Sequence, residues 1–388
     1  MPADRDSWFV PHDLAALVPG TPGGPLAGLG VGVKDSYDVA GERTGAGSPE
    51  WLAEQEPATG NAAAVQRLLD AGASVVGKTV CDEFFYNLSG ISAHYGTPRN
   101  VRAPGRIPGG SSSGSAAATA GGACDIGLGT DTGGSIRVPS AFCGLYGLRP
   151  THGRVPMDGC RPMAPSFDVA GWMADDADTL RAAGRVLFDA AEAVSANLTR
   201  VVLAEDAFAQ ADEEVAGAAE RALAPLPRPD RGVIAPDGFD GWREAFRVVQ
   251  AYEVWQSYGE FVTRARPALG PGVRERVAFA ATVTDEDVAA ARAVGRQAAR
   301  QVRAIARPGT VVALPTVPCI APRIDAGDDE VESFRSRCLR LTCIAGLSGL
   351  PQLTVPVVPV QGCPVGLSLI GWPGGDEVLL DLAVTLGA

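Results

Sequence analysis

The sequence predicts an α/β protein with a large mixed β-sheet core that helices cover on both sides. Short apolar segments typical of buried strands occur towards both ends of the chain, and a long segment with helical periodicity separates them. Hydrophobic residues make up 46% of the 388 positions, which is enough for a substantial core. We therefore expect strands from both ends to join one sheet while the helices pack outside it.

Composition divides this single predicted domain, residues 1–388, into three parts. A Gly-rich part with apolar strands spans about 26–178, and an Ala-, Glu- and Arg-rich helical layer spans about 179–306. Closing strands punctuated by prolines occupy about 307–388. The recognisable chemistry lies mainly in the first part, because the helical layer carries little that resembles a functional motif.

The first part begins with a predicted strand and an amphipathic helix. The Gly- and Val-rich run at 26–38 indicates a buried strand with Lys34 at its end. The following helix is expected to be capped by Asn61 and stopped by Gly72. The segment SVVGKT, which begins at Ser74, is predicted to be the next strand.

Charge and composition exclude several classes of function. The net charge of −12 would repel nucleic-acid phosphates, so small neutral substrates fit better. The apolar runs are far shorter than the roughly 20 residues that span a bilayer, and the acidic start is unlike a signal peptide. Eight cysteines without a C-x-x-C pair indicate reduced thiols, and three dispersed histidines argue against a metal site. We expect a cytoplasmic protein that uses no metal or other cofactor and binds neither nucleic acid nor membrane.

One short motif suggests nucleotide binding. The segment GASVVGKT at 72–79 matches the phosphate-loop pattern G-x-x-x-x-G-K-[ST]. That motif requires a strand before the loop and a helix after it. Here a predicted helix precedes the segment, and Val75 and Val76 indicate a strand inside it. The context therefore argues against nucleotide binding.

Two Gly/Ser-rich segments have a stronger catalytic interpretation. The segment GGSSSGS at 109–115 alone could be a flexible linker, but a small-residue helix and a second Gly-rich turn follow it closely. A serine nucleophile needs a base, and a neutral lysine can replace histidine, directly or through a second hydroxyl. Ser135 lies in a turn whose glycines allow N–H groups to converge, and Ser111 and Lys34 provide the second hydroxyl and the lysine.

The segments around these three residues resemble those of the amidase signature family. GVKD surrounds Lys34, PGGSSSGSA surrounds Ser111 and GTDTGGSIR surrounds Ser135. The segments ALPTVPCIAP, GLPQLTVPV and GCPVGLSLIG are similar to the family's closing strands. Among subgroups, the chain looks most like the short plant-type amidases that hydrolyse indole-3-acetamide. The resemblance implies the amidase signature fold.

The resemblance also implies a Ser–cisSer–Lys triad. Ser135 would attack the amide carbon, Ser111 would follow a non-proline cis peptide and relay protons, and neutral Lys34 would be the base. The oxyanion would rest on N–H groups of the turn that contains Ser135, with Thr132, Gly133 and Gly134 as its other members.

Neighbouring residues have expected supporting roles. Asp131 and Arg137 are interpreted as a structural ion pair, although Arg137 as a carboxylate binder stays open. Ser112 is expected to support the site by hydrogen bonding, and His94 is interpreted as a structural histidine. Candidate residues for lining the substrate pocket, each also compatible with a core role, are Phe84, Phe85, Tyr86, Met163, Phe167, Thr316, Cys343 and Ile344.

The resulting functional hypothesis is hydrolysis of the C–N bond of a small, partly apolar carboxamide. A seryl acyl-enzyme would yield a carboxylate and ammonia or an amine. Acyl transfer to an amine acceptor is one alternative, and a non-catalytic binding module related to the family is another. Such modules lose the triad, whereas Lys34, Ser111 and Ser135 are all present here. The expected partner is a small-molecule amide, and a homodimer is compatible with the sequence.

Overall fold

A computed structural model describes residues 5–12, 14, 16–188 and 193–387. The strands in these ranges are β1 (Gly30–Lys34), β2 (Ser74–Thr79), β3 (Ile126–Thr130), β4 (Tyr146–Arg149), β5 (Ala170–Ala174), β6 (Arg200–Ala204), β7 (Asp230–Gly232), β8 (Thr310–Pro315), β9 (Gln352–Pro356) and β10 (Gly366–Ile370). The helices are α1 (Arg5–Trp8), α2 (Pro49–Ala53), α3 (Ala63–Asp70), α4 (Ser113–Ala120), α5 (Arg137–Phe142), α6 (Ala177–Leu187), α7 (Glu205–Phe208), α8 (Glu213–Arg221), α9 (Asp240–Ala265), α10 (Val273–Ala280), α11 (Asp285–Ile305), α12 (Asp328–Ser348) and α13 (Asp376–Gly387).

The described strands form one mixed sheet in the order β2-β1-β3-β5-β4-β9-β10-β8-β6-β7. The pairs β1/β2, β1/β3, β6/β8 and β6/β7 are parallel, and the five remaining pairs are antiparallel. The two ends of the chain meet where β4 pairs with β9, with Leu148 opposite Leu353. This arrangement confirms the predicted mixed sheet.

Helices cover both faces of this sheet. Along β8, Val311 and Ala313 belong to one hydrophobic cluster, and Val312 and Leu314 belong to another. Because successive strand residues point to opposite faces, the two clusters are the two layers between sheet and helices. Helices α6 and α13 contribute to the first cluster, and α9, α11 and α12 contribute to the second. The predicted α/β class is therefore confirmed.

The middle of the chain differs from its prediction as a purely helical layer. Strands β6 and β7 lie within it and extend the sheet beyond β8, with Val202 opposite Val312. The run RVVLA forms β6, because its apolar side chains are buried where it pairs with β8. Such a five-residue run between long helical segments gives only a weak periodic signal.

The start of α3 also differs from its prediction. Ala62, not Asn61, is the N-terminal cap, and no side chain caps this end. The Asn61 amide instead accepts from the Ala40 N–H at 2.8 Å and donates to Gln66 at 2.8 Å. After the helix, Gly72 adopts φ +99°, and a Cβ there would lie 2.1 Å from the carbonyl oxygen of Gly23. Only glycine fits this turn.

The segment that matches the phosphate-loop pattern contains strand β2. It follows α3 and pairs in parallel with β1, so its amides take part in the sheet. Lys78 within it is fully buried and lies 2.8 Å from the carboxylate of Asp35. Among the described helices, none is long and apolar enough to cross a bilayer.

Candidate active site

Lys34 lies at the carboxyl end of β1, where its side chain is fully buried. Its Nζ donates to Ser111 Oγ at 2.8 Å and to Thr130 Oγ1 at 2.7 Å. The ring of Phe85 lies 4.8 Å from the same nitrogen. Burial lowers the pKa of Lys34 from its ordinary value of 10.5, and nearby acidic groups oppose this shift only in part. The site therefore favours a neutral amine.

Ser111 lies two residues before α4, in the Gly/Ser-rich segment at 109–115. The peptide bond between Gly110 and Ser111 is cis. The carbonyl oxygen of Ser111 accepts from the Asp82 N–H at 3.3 Å. The Ser111 side chain is fully buried, so its hydroxyl contacts Lys34 away from solvent.

Ser135 occupies the turn between β3 and α5. The N–H of Ser112 donates to the Ser135 carbonyl oxygen at 3.4 Å, which joins the two serine segments. Ser135 is 3% exposed. Lys34 and Ser111 are thus in direct side-chain contact, whereas the contact between the segments of Ser111 and Ser135 is through the backbone.

The turn that carries Ser135 has a conformation that requires glycine. Gly134 adopts φ +123°, and its N–H donates to Asp131 Oδ1 at 3.0 Å. The hydroxyl of Thr132 donates to Asp168 Oδ1 at 2.5 Å. These bonds fix the turn, and they already engage the N–H of Gly134, one of the three residues expected to stabilise an oxyanion.

A buried ionic cluster supports the turn. Arg137 donates to Asp131 through Nε at 2.9 Å and through Nη2 at 2.7 Å. Arg149 contacts the same carboxylate at 3.0 Å and also donates to the Asp131 carbonyl. Burial alone would raise the pKa of Asp131, but the two guanidinium groups and backbone N–H donors hold it well below its usual range.

Arg137 also connects the turn to the C-terminal part of the chain. Its Nη1 donates to the Thr342 carbonyl at 2.8 Å and to Gln352 Oε1 at 2.7 Å. The Thr342 hydroxyl donates to the Gly133 carbonyl at 2.7 Å. All three guanidinium nitrogens of Arg137 are engaged within the protein, which favours a structural role over substrate binding.

Ser112 and Asp82 support the Ser111 segment. Ser112 Oγ donates to the Thr130 carbonyl at 3.2 Å, and it lies 2.5 Å from where a Cβ on Gly129 would sit. Asp82 Oδ2 accepts from Gly90 at 3.0 Å, while Oδ1 is buried without a partner among the described residues. Burial raises the pKa of Asp82 to about 7.

The candidate pocket residues are all buried, and all except Thr316 belong to one of two hydrophobic clusters. Phe84 packs against Tyr258 with ring centroids 4.6 Å apart, and Phe167 stacks on Phe246 at 4.4 Å. The Thr316 hydroxyl lies 2.9 Å from that of Ser368. The first group, around Tyr258, comprises Phe84, Phe85, Tyr86 and Met163. The second group lies in the hydrophobic cluster that includes Phe246 and comprises Phe167, Cys343 and Ile344.

Three residues near the site were not identified from the sequence, namely Thr130, Asp82 and Arg149. Thr130 had a usable signal, because β1 and β3 are parallel neighbours and their carboxyl ends share one edge of the sheet. Asp82 and Arg149 lie outside the serine motifs, and no local pattern predicts their burial. His94, interpreted as structural, lies 3.0 Å from Glu83 Oε1.

Comparisons with known proteins show which chains and folds this protein resembles. A family model described as Amidase matches residues 12–221. Amidase 1 of Arabidopsis thaliana is 35% identical, over 94% of this chain and 93% of the plant protein. The 2-amino-5-chloromuconic acid deaminase of Comamonas testosteroni is 33% identical, over 94% of this chain and 82% of its own. A crystal structure described as an amidase superimposes with a TM-score of 0.82 at 30% identity, over 94% of this chain and 85% of that one.

Proposed function

Because this chain belongs to the amidase family, in which hydrolysis of amide C–N bonds is the general activity, we propose that it hydrolyses a small carboxamide through a seryl acyl-enzyme. The observation that carries the proposal is the hydrogen bond of 2.8 Å between Lys34 Nζ and Ser111 Oγ. A buried neutral lysine beside a serine hydroxyl can accept a proton without histidine. The neighbouring Ser135 segment supplies the nucleophilic hydroxyl.

In the proposed first step, Ser135 Oγ attacks the amide carbon. Ser111 takes the proton of Ser135 and passes its own to Lys34, so that no free alkoxide forms. The relay then returns a proton through Ser111 to the leaving nitrogen, the C–N bond breaks, and ammonia or an amine departs. Water attacks the resulting ester by the reverse relay and releases the carboxylate.

The tetrahedral oxyanion would be stabilised by backbone N–H groups of the turn from Thr132 to Ser135. Gly133 and Ser135 are the donors best suited to this role, because the N–H of Gly134 is shared with Asp131. The ionic cluster around Asp131 keeps these donors in place before substrate binds. Such preorganisation is usually the largest electrostatic contribution to acyl transfer.

The surroundings of Lys34 support a partly apolar substrate. Phe85 lies beside the lysine, and Phe84, Tyr86 and Met163 continue the same apolar cluster. An amide with a short hydrocarbon or aromatic body would contact such a surface favourably, while its carboxamide faces the polar serines. The similarity to a plant Amidase 1 supports an amide as the substrate.

The experiment is to measure ammonia release from a panel of primary amides, ranging from acetamide to aryl-acetamides, by the wild type and by Ser135→Ala and Lys34→Met. We expect turnover by the wild type and its loss in both variants, by at least about a thousandfold in kcat. The matched control is Ser140→Ala, which removes a buried hydroxyl bonded to the Ile136 carbonyl at 2.7 Å, away from Lys34. This control should keep nearly normal kcat.

Mass spectrometry tests the covalent step directly. A rapid acid quench should trap an acyl adduct on the tryptic peptide that contains Ser135, and Ser135→Ala should lack it. Near-normal kcat in Ser135→Ala would overturn the assignment of the nucleophile. An acyl donor that reacts only when an amine is added would replace hydrolysis by acyl transfer.

A further inference from the structure

The chain contains 31 arginines but only two lysines, and both lysines lie on neighbouring strands of the sheet. Lys34 ends β1, and Lys78 belongs to β2, which pairs in parallel with β1. Both side chains are fully buried. A guanidinium group stays charged in proteins, whereas a lysine amine can lose its proton or act as a compact cation. The proposed amide chemistry uses Lys34 and leaves Lys78 without a role.

Lys78 binds the carboxylate of the residue that follows Lys34 in the chain. The N–H of Asp35 donates to the Thr79 carbonyl at 3.1 Å, which continues the pairing of β1 with β2 by one residue. Successive residues of a strand point to opposite faces of the sheet. Lys34 accordingly faces Ser111, whereas Asp35 Oδ1 lies 2.8 Å from Lys78 Nζ, with neither side chain of this pair exposed.

The loop that follows β1 provides further acceptors for Lys78. Its Nζ donates to the Arg43 carbonyl at 2.7 Å and to Thr44 Oγ1 at 3.2 Å. Together with Asp35, these groups place three acceptors around an ammonium group that has three donors. Lys78 therefore fits this site as a fixed, compact counter-ion.

The surroundings of Asp35 keep its carboxylate ionised. Its Oδ2 lies 3.0 Å from His12 Nε2, and the other titratable groups that face it are Cys81 and Tyr95. Burial alone would raise the pKa of Asp35. The charge of Lys78, followed by the contact with His12, holds this pKa below the ordinary value of 3.8. A buried negative charge therefore lies directly beside Lys34 in the chain, with Lys78 as its cation.

Lys34 already faces several acidic groups. Burial lowers the pKa of Lys34, while the thiols of Cys81 and Cys160 and the carboxyl groups of Asp82 and Asp168 oppose this shift. Any additional negative charge would favour the ammonium form further. Whether Lys34 is neutral thus depends on the balance of the buried charges around it.

We infer that Lys78 and Asp35 are positioning residues for Lys34, because their ion pair prevents the Asp35 charge from protonating the Lys34 amine. The inference rests on the proposed function, in which neutral Lys34 accepts a proton. Consecutive Cα atoms are only about 3.8 Å apart, and charges in a buried site interact more strongly than in water. Without Lys78, the carboxylate would favour the ammonium form of Lys34. Without the carboxylate, Lys78 would favour the neutral amine.

NMR spectroscopy can test this inference directly, because the chain has only two lysines. Protein labelled with [13Cε]lysine gives one signal for each, and Lys34→Met assigns them. In the wild type we expect the Lys34 signal to titrate below the ordinary lysine pKa of 10.5. Lys78→Met should move this titration midpoint to higher pH, and Asp35→Asn should move it to lower pH. The double variant removes both charges, so its midpoint should return close to that of the wild type.

Steady-state kinetics should follow the same order. At pH 7, Lys78→Met should lower kcat/KM for a neutral primary amide about tenfold, because less of Lys34 is neutral. This loss should shrink towards pH 10, while KM changes less than about twofold. The double variant should recover most of the lost activity. A merely structural role of the pair predicts instead that the double variant is at least as impaired as either single variant.

Arg161→Gln is the matched control. Arg161 pairs with Asp38, four residues after Lys34, at 3.2 Å, but its side chain is 31% exposed. Because solvent screens such a pair, the Lys34 midpoint should stay unchanged in this variant. Circular dichroism checks the fold of each protein. If Lys78→Met does not fold, Asp35→Asn and the double variant still decide the result, since neither leaves an unpaired buried carboxylate. A midpoint in Asp35→Asn equal to or higher than that of the wild type would overturn the inference.

The NMR titration needs no substrate, so it separates this inference from the proposed hydrolysis. Opposite shifts in the two single variants, without turnover of any amide by the wild type, would reject the proposed hydrolysis alone. Amide turnover by the wild type, with a Lys34 midpoint that none of these variants moves, would reject the role of the ion pair alone.

Discussion

Lys34 Nζ and Ser111 Oγ are joined by a hydrogen bond of 2.8 Å, and neither side chain is exposed to solvent. The two residues are 77 positions apart and come from the end of β1 and the start of α4. An ammonium group in this place would lose its hydration, and no carboxylate in the described part of the chain forms an ion pair with it. The contact is therefore one between a weakly basic amine and a hydroxyl, as a proton relay requires.

The first prediction concerns the pH dependence of activity. Because burial lowers the pKa of Lys34, we expect kcat/KM to rise with pH and to level off below the ordinary lysine value of 10.5. The measurement is ammonia release from a neutral amide between pH 5 and 10, with single-turnover data to establish that chemistry limits the rate. A flat profile under those conditions would exclude Lys34 as the base.

The same shift has a consequence for folding stability. The native state binds a proton at Lys34 less tightly than the unfolded chain does. The contribution of Lys34 to the free energy of unfolding therefore increases as pH rises towards 10.5. Lys34→Met should remove this contribution. Urea denaturation of both proteins at several pH values should show that the variant gains relative stability towards low pH.

The second prediction concerns Asp82, whose pKa is raised to about 7 by burial. Since the native state then binds a proton more tightly than the unfolded chain, its contribution is fully present below about pH 4 and is lost as pH rises through 7. Asp82→Asn cannot ionise, so relative to the wild type it should gain about 2–4 kcal/mol between pH 4 and pH 8.

Urea denaturation at pH 4, 6 and 8 tests this prediction. The matched control is Asp125→Asn, because Asp125 is an exposed aspartate that accepts from the Gly30 N–H at 2.7 Å. Its stability difference from the wild type should change little over the same range. Parallel pH curves for the wild type and Asp82→Asn would show that this carboxyl group has the same pKa in the native and unfolded states.

The sequence predicted those parts of the candidate site that are continuous in the chain. The Gly/Ser segments around Ser111 and Ser135 carry their own signal, because such turns require glycine and small side chains at defined positions. Lys34 was identified by its position at a strand end. The mixed sheet followed from strand-like segments at both ends, and its pairing of β4 with β9 agrees with that expectation.

What the sequence did not predict depends on long-range contacts. Arg149 reaches Asp131 across 18 residues, and Gln352 reaches Arg137 across 215. No local pattern marks a buried arginine as the partner of a particular carboxylate, because its burial is set by the assembled sheet. The short β6 was missed for the same reason, since its strand conformation is stabilised by β8.

The third prediction concerns the buried ionic cluster. Asp131→Asn removes the negative charge between Arg137 and Arg149, which are both fully buried. Breaking a buried pair leaves uncompensated charge, and we expect a loss of about 3–5 kcal/mol in the free energy of unfolding at pH 7. The pKa of Asp131 is lowered, so its contribution is present above about pH 4 and is lost as pH falls further.

Chemical denaturation at pH 7 measures this loss. Asp178→Asn is the control, because the Asp178 side chain is 74% exposed in its ion pair with Arg181 at 2.6 Å. Exposed pairs of this kind contribute less than about 1 kcal/mol. A loss in Asp131→Asn no larger than in the control would mean that the cluster does not stabilise the turn.

The last prediction concerns Thr130, whose hydroxyl accepts from Lys34 Nζ at 2.7 Å. Thr130→Val keeps the side-chain shape but removes the acceptor, so one N–H of Lys34 loses its partner in a buried site. Without this hydrogen bond, the Lys34 side chain is held less firmly in its orientation towards Ser111. We therefore expect kcat to fall about tenfold while KM stays within about twofold. Thr130→Ser retains the hydroxyl and should keep most of the activity. Steady-state kinetics of the three proteins on one amide measure the difference, and equal kcat in Thr130→Val and the wild type would show that Ser111 alone positions Lys34.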